Sequence, residues 1–291
     1  MAAYFSDRQR APRPRTNEAI DAAVWGGIYA IVSARLADGS FGYTFPETCS
    51  DGYGTIGHDS RTLDLMLKAQ HPDMLFPLPL DETPDTLAAL DFLEFVAASI
   101  GKPIEGSYHS FFRHHHLTFD REEGLREFIE AINGIFARNG VAYELTSEGQ
   151  VKRVLTAEMQ NLFAKTLFRT GDGESDRLLE QARAQFSSPH ESIRKDALEK
   201  LWDAFERIKT LEPGHDKKAQ VTALLDKTAT GKLRATLEAE SVELTRIGNA
   251  FRIRHSETTQ EPLTQSAHAD YLFHRMFSFL RLVLTATGRA S

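Results

Sequence analysis

The stretch Leu125-Arg-Glu-Phe128-Ile129-Glu-Ala-Ile132-Asn133-Gly-Ile135-Phe136-Ala-Arg-Asn139-Gly140-Val141-Ala-Tyr143-Glu-Leu145 changes its period once, and the change divides the chain. Up to Phe136 the apolar residues return three and four positions apart, as one face of an α-helix requires. Asn139-Gly140 can take the left-handed backbone that stops a helix. From Val141 the spacing becomes two: Val141 to Leu145, the turn Ser147-Glu-Gly149-Gln150, and Val151-Lys-Arg-Val154 predict a small β-hairpin. A domain boundary follows it, giving an N-terminal domain over 1–155 and a C-terminal one over 156–291.

Toward the N-terminus, residues 6–15 hold four arginines and two prolines and read as a solvated, extended arm. Thr16 can cap a first helix, in which Ile20, Trp25, Ile28, Val32 and Leu36 recur at helical spacing before Asp38-Gly39 ends it. Phe41 to Gly57, rich in Gly, Pro and aromatics, predicts an irregular loop rather than a pair of strands. A short helix starts at Asp59 or Ser60, and Leu87, Leu90, Leu93, Val96 and Ile100 mark another, capped near Thr83 or Asp85. Beyond 155 every segment reads as helix: 156–168, 174–186, 190–210, 217–227, 230–247 and a last, strongly apolar one through Tyr271 to Leu284. The expected fold is mainly α, an N-terminal helical domain ending in a small β-hairpin, then an α-helical bundle of five or six helices.

With 291 residues, 41% of them hydrophobic, the chain can build a sizeable core in each of two domains. No apolar run reaches transmembrane length and the first residues lack the apolar stretch of a secretory signal, so no membrane is expected and a cytoplasmic location follows. Cys49 is the only cysteine, which excludes an intramolecular disulfide and a cysteine-cluster zinc site. The net charge of -7 is uneven. Residues 1–150 carry 12 basic against 22 acidic side chains, and residues 151–291 carry 22 against 19, so a polyanion is better received by the second half.

His109-Ser-Phe-Phe-Arg113-His114-His115-His116 invites a metal reading. Adjacent residues of one element point different ways and no Cys, Asp or Glu stands at a familiar ligand spacing. The expectation is therefore no metal and no cofactor, with a loop or short helix packing Phe111 and Phe112. Phosphate-loop, nucleophile-elbow and HExxH patterns are absent. The richest stretch is Arg246-Ile-Gly248-Asn249-Ala-Phe-Arg252-Ile-Arg254-His255-Ser-Glu257, supported by Arg207 and Lys209 at the end of the 190–210 helix. Metal-free RNA cleavage needs a proton acceptor for the 2'-OH, an acid for the leaving oxygen and cations on the phosphate. His255, oriented by Asn249 and flanked by Arg252 and Arg254, supplies those parts, and Arg246, Arg207 and Lys209 add cations for RNA. The bland alternative is a helix terminus whose cations cap carbonyls and pair with Glu243 or Glu257.

Ala197-Leu-Glu-Lys-Leu-Trp202-Asp-Ala-Phe-Glu-Arg207-Ile-Lys209, then Ile247 to Glu257, then Ala269-Asp-Tyr-Leu-Phe-His-Arg275 resemble abortive-infection proteins of the HEPN superfamily. Ile132 to Leu145 is similar to the helix-hairpin end of the N-terminal domain found in some of these phage-resistance proteins. The resemblance implies a HEPN-like C-terminal bundle that dimerises and acts as a metal-independent endoribonuclease on tRNA, rRNA or mRNA, under a phage-derived trigger. That family's pattern is an arginine, often followed by a polar residue, four to six positions before a histidine. Asn249 stands six before His255, but the arginine slot holds Gly248. Either Arg246, Arg252 or Arg254 substitutes, or the bundle is a non-catalytic module that binds RNA or protein.

Overall fold

The computed structural model describes residues 5, 13–79, 81–251, 253 and 260–291. The chain divides into two compact units, Met1–Val154 and Leu155–Ser291, and helix accounts for 58% of it.

The first unit holds helices α1 (Ala22–Ala37), α2 (Ser60–Gln70), α3 (Thr86–Ser99) and α4 (Arg121–Asn139). Four aspartates start them: the side chains of Asp21, Asp59, Asp85 and Asp120 each accept a first-turn N–H, which satisfies donors that a helix start leaves open. Gly140, at φ 69°, ends α4 in left-handed backbone. Trp25, Ile28, Phe92, Leu93, Phe128, Ile132 and Phe136 meet in one core. Asp21, not Thr16, caps α1, because the chain before it is held extended: Asn17 pairs with the backbone of Gly140 and Ala142 at 2.9 and 2.8 Å.

The hairpin is β5 (Tyr143–Leu145) with β6 (Val151–Arg153). Asn133 of α4 clasps it, exchanging hydrogen bonds with the backbone of Leu145 at 2.8 Å each way. A second sheet overturns two expectations. Strands β1 (Pro46–Thr48), β2 (Thr55–His58), β3 (Lys102–His109) and β4 (His114–Asp120) pair antiparallel in the order β1-β2-β4-β3. The aromatic loop 41–57 thus contains a strand pair, and the histidine run lies in a strand rather than a loop or short helix. The sheet exposes most of β1 and β3, so no alternation of buried apolar residues marks them.

The second unit, as far as it is described, is six helices: α5 (Ala157–Lys165), α6 (Gly173–Phe186), α7 (Glu191–Ile208), α8 (Lys217–Thr228), α9 (Gly231–Ala250) and α10 (Ser266–Ala286). Phe186 stacks on Phe273 with ring centres 3.9 Å apart, and Phe163, Phe168 and Phe277 close around them. Arg194 is buried on α7, where its guanidinium donates to the carbonyls of Ser188 and Pro189 and to Ser266 Oγ at 2.7–2.9 Å. This pins the start of α7 to the start of α10. No helix among the described residues is long and apolar enough to cross a membrane.

Candidate functional site

Helix α9 carries the polar stretch of the second unit, and its last turn is shaped by a close approach. Trp202 of α7, fully buried, donates from Nε1 to the carbonyl of Leu244 at 2.9 Å. The ring lies so near α9 that a Cβ on Gly248 would stand 2.4 Å from Trp202 Cδ1. A larger side chain in that slot would meet the Trp202 ring. One residue on, Asn249 turns outward and is exposed, and its carbonyl accepts from Gln260 at 3.0 Å. Phe251 leaves the helix in extended backbone and pairs with Glu261. Buried Ile253, with Pro262, Leu263, Leu198 and Lys195, lines a cavity of about 160 Å³ there. Arg252, Arg254, His255 and Glu257 lie outside the described residues.

The cations expected for RNA are already partnered. Arg246 lies exposed and takes Glu243 with two hydrogen bonds at 2.6 and 2.8 Å. Arg207 forks onto Asp172 at 2.9 Å twice, tying the end of α7 to the residue that caps α6. Both pairs face water, where such pairs are worth about 0–1 kcal/mol and a phosphate competes for the guanidinium. Lys209 is different. It is 5% exposed, bonds Glu206 Oε1 at 2.6 Å and Thr245 Oγ1 at 3.0 Å, and lies 4.4 Å from the centre of the Phe205 ring. Its ammonium joins α7 to α9 inside the bundle and is not presented to a ligand.

A second cluster forms in the first unit, from residues that the sequence does not bring together. Across the β3–β4 hairpin His109 pairs in register with His114, and His116 stands two residues on, on the same face of the strand. His115 takes the other face, against Tyr108 and the carbonyl of Gly106. The hairpin turns through Arg113 at φ 58°, with its N–H on the carbonyl of His109 at 2.8 Å. From the other end of the sheet, the β1–β2 turn brings Cys49, 2% exposed, and Asp51 onto the same face. The ligand atoms of Cys49, His114 and His116 lie within 4.8 Å of one another, and so do those of Cys49, Asp51 and His109.

Asp51 Oδ2 is 2.8 Å from His109 Nε2. The backbone N–H of Tyr53, then the Cys49 thiol and His109, hold the Asp51 carboxyl down to about 2, while burial pushes the Cys49 thiol up. The His114 and His116 Nε2 atoms are buried and find no hydrogen-bond partner among the described residues. Gly54 backs the root of the His116 ring, where an added Cβ would stand 2.7 Å from Cγ and 2.8 Å from Nδ1. The one signal in the sequence was the two-residue step from His114 to His116 after a turn-forming Phe-Phe-Arg; nothing there points to Cys49.

A mainly helical protein emerges, with an α/β first unit and an all-helical second one. The model of the AbiJ N-terminal domain 4 family matches residues 3–169. The chain belongs to that family, a family of abortive-infection proteins. No curated protein and no solved structure matches it.

Proposed function

We propose that the protein is an abortive-infection effector whose second unit is a HEPN-like bundle acting as a metal-independent endoribonuclease. The reading is carried by one combination: a first unit of an abortive-infection family, followed by a separate helical unit with an exposed asparagine at a helix end, six residues before a histidine. In this reading His255 moves the proton of the attacking 2'-OH or of the leaving 5'-oxygen, and Asn249 orients it. Arg252 and Arg254 neutralise the phosphate as its charge grows. Arg246 and Arg207 exchange their carboxylates for RNA phosphates. Two bundles about a two-fold axis bring two such stretches to one cleft, and the first unit receives a phage-derived trigger in the cytoplasm.

The packing of Gly248 against Trp202 supports a second reading, in which the bundle binds RNA or protein without cutting. One experiment separates them. Purified full chain is incubated with single-stranded RNA and tRNA without added divalent ions, beside His255→Ala and Asn249→Ala. The nuclease reading expects cleavage by the wild type, loss of at least about 100-fold in His255→Ala, consistent with the usual size of general acid–base catalysis, and an intermediate loss in Asn249→Ala. Intact RNA with wild-type protein, with and without phage lysate, would sink it.

A further inference from the structure

We propose that the first unit binds one zinc ion through Cys49 Sγ, His114 Nε2 and His116 Nε2, with the Asp51–His109 pair beside Cys49. Two buried ring nitrogens without hydrogen-bond partners, side by side and next to a buried sulfur, are what a metal site shows from the protein's side. Buried polar atoms in proteins are as a rule satisfied, and ring packing alone leaves both nitrogens bare. Two imidazoles on one zinc, at Zn–N of about 2.0–2.1 Å, place their ring centres roughly 5–5.5 Å apart. The His114 and His116 centres are 5.6 Å apart, and the His109 ring stands beside them.

Thiolate and imidazole together suit zinc better than the oxygen-seeking cations. Gly54 is necessary to the arrangement, since any side chain there would drive into the ring of His116. Zinc binding displaces the Cys49 thiol proton to solvent and changes no oxidation state. The ion then joins the β1–β2 turn to the β3–β4 hairpin, adding to the β2–β4 register pair Thr55 and Leu117 and to the Asp51–His109 contact.

The test is metal analysis of the full chain, independent of any RNA readout. The wild type is expected to carry about one zinc per chain after purification or reconstitution. Replacement by Co²⁺ should give the visible bands of a tetrahedral site and a thiolate-to-cobalt charge-transfer band. Cys49→Ser should lose that band, and His114→Gln or His116→Gln should lose the metal. His115→Gln, on the other face of the same strand, should keep it. The double variant Asp51→Asn/His109→Gln should weaken zinc binding by about 10–100-fold or more. Wild-type protein that takes up neither zinc nor Co²⁺, or a Co²⁺ spectrum without thiolate ligation, would overturn the proposal. So would full zinc content in Cys49→Ser. The wild-type Co²⁺ spectrum decides the matter even if a variant fails to fold.

Discussion

Gly248 shows how one missing side chain can set the packing of two helices. On an open helix surface, Gly→Ala stabilises by about 1 kcal/mol, because alanine loses less backbone freedom. Here the new methyl would sit 2.4 Å from the Trp202 ring, and overpacking of a filled core costs about 1–3 kcal/mol. The clash wins, so Gly248→Ala is expected to destabilise the protein by about 1–2 kcal/mol in a denaturant melt. A stabilised variant would show that α9 can shift off α7. Gly248 was legible in the sequence only as a departure from a pattern; the tryptophan packed against it, 46 positions earlier, was not. The same holds for Cys49, whose neighbours in space come from the far end of a sheet. Sequence spacing reports ligands on one turn or one strand pair, and this cluster is assembled by pairing between β2 and β4.

At the level of elements, the helices were readable because their signals are local. Asp85 before α3, Gly140 after α4 and the loop holding Pro213 and Gly214 all lie within a few residues of the boundaries they set. The four-stranded sheet was not readable, since its strands expose much of their length and the partners are distant in sequence. Asp172 joins two elements, accepting from Ser175 N–H and Oγ at the start of α6 and from Arg207 at the end of α7. Asp172→Ala is expected to cost about 1–2 kcal/mol, the size of a lost helix cap, with the water-facing ion pair adding little. A loss no greater in the wild type than in an Arg207→Ala background would confirm that the cap carries the effect. The loop after α7 places Glu212, its side chain 1% exposed, between Lys227 and Arg289 at 2.5 Å each. Burial alone would raise its carboxyl, but the two cations outweigh burial and hold it below the ordinary glutamate value. A depressed folded-state value means stability that is fully present above the unfolded-state value and lost as pH falls through the folded one. Acid titration of the melting temperature should therefore drop more steeply below the ordinary glutamate range in wild type than in Glu212→Gln.

For the whole molecule, the family match and the compact units end at different places. The match runs to residue 169, whereas the first unit closes at Val154. Met159, Phe163 and Phe168, which lie between those limits, are buried in the core of the second unit. A fragment ending at 154 should melt cooperatively and stay monomeric, while one ending at 169 should carry that apolar helix uncovered and aggregate, as light scattering would show. The chain has two tryptophans, and both are fully buried, Trp25 in the core of the first unit and Trp202 in that of the second. Each unit thus contains its own fluorophore. Trp25→Phe leaves emission from the bundle alone and Trp202→Phe leaves emission from the α/β unit alone, so the red shift on unfolding can be followed separately for each unit.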